Sequence, residues 1–160
     1  MKKILFMLLF IPMMGWTQQS WKYSSEIIVA PMSQTQVFDS GIQWMYNHDI
    51  HNISMSNCMD IYGKGVLDLD TYGEVSYNIH ITCLDGKLIY SLSSFKHSKV
   101  VYEKVVPDGV MGGYCGLVNY SGGYLTNDEP VSSRLSNKDW MSIKDMTSAK
   151  CDTLLRTLFW

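Results

Sequence analysis

Apolar and polar residues alternate from Val75 to Leu84 and again from Lys87 to Phe95, with Asp85-Gly86 between the two runs. An Asp-Gly pair flanked by alternating segments predicts a tight two-residue hairpin, because its turn positions favour positive φ. Such a turn fixes the register: Leu84 opposes Lys87, Cys83 opposes Leu88, Ile81 opposes Tyr90 and Ile79 opposes Leu92. That set is apolar and predicts a buried face. The reverse face pairs Thr82 with Ile89, His80 with Ser91 and Asn78 with Ser93, and it reads as solvated.

Upstream, Glu26 to Ala30 is a short β-prone run closed by Pro31. Ser33 and Gln36 have the spacing of a capping box, predicting a helix from about Gln34 to Asn47. Val37, Phe38, Ile42 and Met45 recur along it at helical spacing, with Trp44 beside them, and Gly41 predicts close approach to a strand. Ile50 to Ser56 alternates weakly. From Ile61 to Leu69 the odd positions, Gly63 and Gly65 among them, form one face, and Tyr62, Lys64, Val66 and Asp68 form the other. Residues 96 to 136 carry half of the twelve glycines and several tyrosines without sustained periodicity, so they read as a long loop, within which Val100 to Val106 is a candidate short strand and Val110 to Tyr120 a candidate hairpin. A terminal helix starts near Asn137, its stripe running through Trp140, Ile143, Thr147, Cys151, Leu154 and Leu158. The expected fold is α+β in two layers, an antiparallel sheet with two helices on one face.

The first seventeen residues change the picture of compartment. Lys2 and Lys3 precede an apolar run, Ile4 to Met14, too short to span a bilayer, and Gly15 and Thr17 suit a cleavage site. They read as a signal peptide, the alternative being an uncleaved anchor. The expected mature chain is then residues 18–160, one exported domain, periplasmic or secreted, without a transmembrane segment. The whole chain carries a formal charge of −2. Because the leader holds two lysines and no acid, its removal makes the remainder more acidic, which argues against a nucleic-acid partner.

Cys58, Cys83, Cys115 and Cys151 show no metal-type spacing. An oxidising compartment permits up to two disulfides in any of three pairings, and buried free thiols are the alternative. Cys83 on the buried sheet face and Cys151 on the apolar helix face are the pair predicted to approach.

Several of these segments resemble a 4468-type domain-of-unknown-function family of exported Bacteroidetes proteins with a TATA-binding-protein-like (TBP-like) fold. The similar features are the leader, the strand and helix ending in Ile42 to Tyr46, the Ile61 to Gly65 strand, Tyr77 to Ile81 leading into Asp85 to Tyr90, and Phe95-Lys96-His97. The final helix opening with Trp140 extends them. The resemblance implies a βαββββα order and implies no activity.

Candidate chemistry is sparse. Gly63-Lys64-Gly65 lies within a strand, so it lacks the strand-to-helix setting of a phosphate loop. His48, Asp49 and His51 do not complete a metal-ligand set, and no metal or cofactor is expected. Asp68 and Asp70, about 7 Å apart if both lie on one strand, have a spacing also found in paired catalytic acids or calcium ligands, but alternating acids are ordinary on a solvated strand. His80 and His97 show no carboxylate partner in sequence, and Cys115 sits among glycines with no base nearby. The expected function is a non-enzymatic binding module for a protein or glycan. It would use the face of Tyr62, Lys64, Asp68, His80, Ile89 and Ser91, and a loop carrying Tyr114, Tyr120 and Tyr124. The alternative is a small exported hydrolase acting through His80 or Cys115.

Overall fold

The computed structural model describes residues 21–29, 31–105, 114–125 and 135–158. The leader at 1–17 lies outside them, as do the side chains of Tyr114, Cys115 and Tyr120. The elements are β1 (Lys22–Ile28), α1 (Gln34–Asn47), β2 (His51–Ser56), β3 (Asp60–Asp68), a 3-10 turn (Asp70–Tyr72), β4 (Glu74–Leu84), β5 (Lys87–Val105), β6 (Tyr114–Tyr124) and α2 (Asn137–Arg156).

The hairpin forms in the expected register. Leu84, Cys83, Ile81 and Ile79 stand opposite Lys87, Leu88, Tyr90 and Leu92. Gly86 takes the positive φ at 68°. The turn is also tied to the β1–α1 connection, since Gly86 donates its N–H to the Met32 carbonyl and accepts from Val29, both at 2.8 Å. The Asp85 carboxylate accepts from the Gln34 N–H at 2.8 Å. One of the orphan donors that begin α1 is thereby satisfied by a residue 51 positions away. Ser33 and Gln36 form the capping box beside it.

The strands make one antiparallel sheet in the order β1-β5-β4-β3-β2, with β6 also pairing β5. The first part of β5 pairs with β1 and the second with β6, so these two strands follow one another along the same edge. Trp21 donates its N–H to the Leu125 carbonyl at 3.3 Å where they meet.

The sixth strand corrects the expectation of a loop through residues 96–136. β5 runs on to Val105, and Tyr114–Tyr124 pairs with it. Two bulges hid this from the sequence pattern. Ser94, at φ 57°, is an extra residue in β5, so the inward set passes from Leu88 and Leu92 to Phe95 and His97. A second irregularity falls between His97 and Lys99, where Ser121 and Gly122 of β6 stand against the single residue Ser98. Each insertion shifts the period-2 alternation by one, and the reading loses phase.

Both helices cover the face that carries Ile61, Ile79, Ile81, Leu88 and Phe95. Gly41 lets α1 approach β3, with a Cβ there lying 3.0 Å from Ile61 Cδ1. Gly63 and Gly65 make room mainly for side chains from neighbouring segments: an added Cβ would fall 2.3 Å from Ile50 Cγ2 in one case and 2.4 Å from the Tyr77 ring in the other. α2 buries Trp140, Ile143, Thr147 and Cys151. Trp44 Nε1 donates to Thr157 Oγ1 at 3.0 Å, and His48 Nε2 contacts the same hydroxyl at 2.9 Å, tying the end of α2 to α1.

The expected disulfide between Cys83 and Cys151 is not formed; both are buried free thiols. Cys83 lies beneath Gly41 of α1, while Cys151 lies near Tyr77, so one helix face does not bring them together. Burial pushes their thiols up to about 11 and about 12 respectively. The paired-acid geometry of Asp68 and Asp70 is likewise absent. The strand ends at Asp68, whose carboxylate accepts from the Asp70 N–H at 2.8 Å and starts the 3-10 turn.

Candidate functional site

Strand alternation places Tyr62, Lys64, Asn78, His80, Ser91 and Ser93 on the face away from the helices. The register aligns them across three strands: Tyr62 with His80 and Ser91 in one row, Lys64 with Asn78 and Ser93 in the next. Together with Asn52 and Ser54 of β2, these positions line a shallow depression of about 410 Å³. Lys64 and Asn78 also line a second depression of about 240 Å³, reaching Ser76, Ser94, Lys96 and Tyr124. The two therefore form one continuous groove across the open sheet.

At one end Tyr62 and His80 stack with ring centroids 4.3 Å apart and planes inclined by 9°. His80 is held from the side, its Nε2 lying 2.8 Å from Asp60 Oδ1, and Thr82 donates its hydroxyl to the same oxygen at 2.7 Å. These bonds, from Thr82 and then His80, hold the Asp60 carboxyl below the usual carboxylate range. This corrects the expectation that His80 lacks a carboxylate partner. Asp60 is twenty residues distant in sequence but lies one row from His80 across the β3–β4 pair.

At the other end Tyr124 is 57% exposed, and the Lys96 ammonium stands 5.9 Å from its ring centroid. The floor between is made of hydroxyls and amides. Ile79 and Tyr77 also line it, but their side chains are buried on the opposite face. Among the described residues neither Lys64 nor Lys96 has a carboxylate within ion-pair distance, the two ion pairs being His80–Asp60 and Lys87–Glu26.

Of the face expected from sequence, Tyr62, Lys64, His80 and Ser91 meet in this groove. Asp68 and Ile89 share the open face but lie outside it, Asp68 beyond Val66 and Ile89 in the row of Asp60 and Thr82. Tyr124, expected in a separate loop, joins the same surface because β6 pairs with β5 at Lys96. Asn78 and Ser93 were expected on the open face without being assigned to the site, and the contributions of Asp60 and Lys96 were missed. Cross-strand register was the available signal for Asn78 and Ser93, whereas the bulge at Ser94 concealed Lys96.

Two of the other three histidines, His48 and His97, have structural settings. His48 stacks on Trp44 and bonds to its carbonyl. His97 is buried, donating from Nε2 to the Tyr72 carbonyl at 2.7 Å and accepting the Gly122 N–H on Nδ1 at 3.0 Å. No group of three or more metal-ligating side chains gathers among the described residues.

Two solved structures are similar over most of the chain. A TBP-like protein from Parabacteroides distasonis is 13% identical, with 85% of this chain and 93% of that chain covered and a TM-score of 0.46. A DUF4468 family protein from Bacteroides ovatus is 17% identical, with 86% and 85% covered and a TM-score of 0.48. No protein-family model and no curated protein matches the sequence.

Proposed function

We propose that the chain is an exported binding module of the cell envelope whose recognition surface is the open face of its sheet. The observation that carries this reading is the groove itself, a polar floor with exposed aromatic side chains at both ends. A sheet whose reverse side already packs two helices needs no such aromatic content for stability. Exposed rings flanking convergent donors and acceptors suit contact with a partner, since rings supply area at low entropic cost and hydroxyls and amides supply direction.

The direct test is a titration of isotope-labelled protein with envelope proteins and glycans, followed by amide shifts. Shifts should concentrate at Tyr62, Asn78, Ser91 and Lys96, and the double variant Tyr62→Ala/Tyr124→Ala should weaken binding at least tenfold. Shifts confined to the helix layer would remove the reading.

Export rests on Lys2 and Lys3 followed by the apolar run Ile4 to Met14. No helix among the described residues is long and apolar enough to cross a membrane. Cell fractionation with N-terminal sequencing should find the protein outside the cytoplasm, beginning at Gln18. An intact leader on cytoplasmic protein would overturn export.

A hydrolase acting through His80 would need a nucleophile or substrate at the ring nitrogen opposite Asp60. Among the described residues no hydroxyl or thiol is bonded to that nitrogen, so the groove supports the binding reading better.

A further inference from the structure

The groove's own chemistry narrows what it would hold. Lys64 and Lys96 are exposed and flank the Asn78 and Ser76 positions, with no acidic side chain lining either depression. At the Tyr62 end of the floor, Asp60 is engaged by Thr82 and His80. Asp68 and Glu74 pair across β3 and β4 in the row next to Ser76 and Lys96, and neither is within ion-pair distance of a groove lysine. A chain of net charge −2 therefore carries a locally basic strip in the middle of its open face.

The two lysines do not form one tight anion pocket. Lys64 is opposite Asn78 and Lys96 opposite Ser76, so they stand two strands and two residues apart, about 12 Å between Cα atoms from ordinary strand spacings. Separated cations over a hydroxyl and amide floor match an extended ligand bearing repeated negative charges and many hydroxyls. Exposed rings at the ends match one with flat, weakly apolar C–H faces. A protein partner would call for an apolar centre and a polar rim. Here the arrangement is reversed, since the centre is polar and the rings stand at the ends.

We propose, resting on the open-face reading above, that the groove binds an acidic polysaccharide. Its carboxylates would pair with Lys64 and Lys96, and its sugar rings would lie against Tyr124 and the Tyr62–His80 stack. A charge-assisted hydrogen bond from each ammonium supplies selection for the acid, and the serines and Asn78 take the sugar hydroxyls.

The experiment is calorimetric titration of the full mature chain with three probes: polygalacturonate oligomers, the same oligomers fully methyl-esterified, and a single-stranded oligothymidylate. The acidic sugar should bind, and esterification should weaken it at least tenfold. Lys64→Ala/Lys96→Ala should weaken the acidic probe by a similar factor and the ester by much less. Equal binding of ester and acid, or no effect of the lysine substitutions, overturns the acidic-sugar proposal. Equal or tighter binding of the oligothymidylate overturns it in favour of unselective polyanion capture. The open-face reading is judged separately by Tyr62→Ala/Tyr124→Ala against whichever probe or partner binds. It survives a failed acid preference if that variant loses binding, and it falls with the proposal if neither pair of substitutions has an effect. Unchanged melting temperatures of the exposed-residue variants exclude misfolding as the cause.

Discussion

His97 joins three parts of the molecule through one ring: the Tyr72 carbonyl before β4, the Gly122 amide of β6, and the edge of the Trp140 indole in α2. With Nε2 donating and Nδ1 accepting, the ring is held neutral. Burial lowers its pKa; the bond to Tyr72 opposes that shift, and the charge of Lys99 adds to it. The folded state thus binds fewer protons than the unfolded chain as pH falls through about 6.5, and stability is lost from there down to the folded pKa, where the loss levels off. Melting followed from pH 7.5 to 5.0 should fall by about 3–5 °C per kcal/mol lost. His97→Gln, which has no proton to gain, should start lower and lack this component of the slope. A wild-type curve flat over that window would contradict the assignment. Beside it, a Cβ at Gly122 would lie 2.4 Å from Trp140 Cζ3 and 2.9 Å from His97 Nδ1. Gly122→Ala should therefore cost about 1–3 kcal/mol of overpacking in a denaturant melt.

At the scale of elements, the parts legible in the sequence were those whose determinants are local. The capping box at Ser33 and Gln36 marked the start of α1, Asp85-Gly86 fixed the hairpin, and the apolar stripe from Trp140 onward located α2, to which the structure adds Ser136 as N-cap. What escaped depends on contacts between distant residues or on phase. Asp85 was read only as a turn residue, although its carboxylate also meets the N-terminus of α1, whose first turn contains no acid. Asp85→Ala should cost about 1 kcal/mol by loss of that cap, more than the turn preference alone predicts. A denaturation midpoint shifted no further in Asp85→Ala than in Gln34→Pro/Asp85→Ala relative to Gln34→Pro would show that the amide bond contributes nothing. Ser94 matters through phase. Deleting this extra residue would leave Leu92, Phe95 and His97 inward and Ser93 and Lys96 outward while removing the bulge, so the variant should keep a cooperative transition in circular dichroism, and loss of cooperativity would show that the bulge geometry itself is required. Ser94→Gly, which relieves the left-handed backbone at φ 57°, should be neutral or stabilising by up to about 1 kcal/mol.

Across the whole molecule, the same division explains how much of the groove could be read in advance. Tyr62, Lys64, His80 and Ser91 follow from alternation and one turn. The Asp60 support, Lys96 and the arrival of Tyr124 require knowing that β5 continues past a bulge and acquires β6. Long-range closure also decides the state of the thiols, which provides a measure of how cooperatively the domain holds together. Cys83 lies under α1 and Cys151 within α2's buried stripe, so exposing either requires a helix to leave the sheet, while Cys58 is exposed in the β2–β3 turn. With thiols pushed up to about 11 and about 12, the two buried groups hold almost no thiolate at pH 8 even apart from their inaccessibility. Alkylation mapped by peptide mass spectrometry should label Cys58 at the rate of a free peptide thiol. Cys83 and Cys151 should react slowly and in parallel with each other, at a rate that rises with denaturant along the global unfolding curve. If Cys151 reacts well ahead of Cys83, α2 detaches on its own, and the tie from Trp44 and His48 to Thr157 does not couple the two helices into one unit.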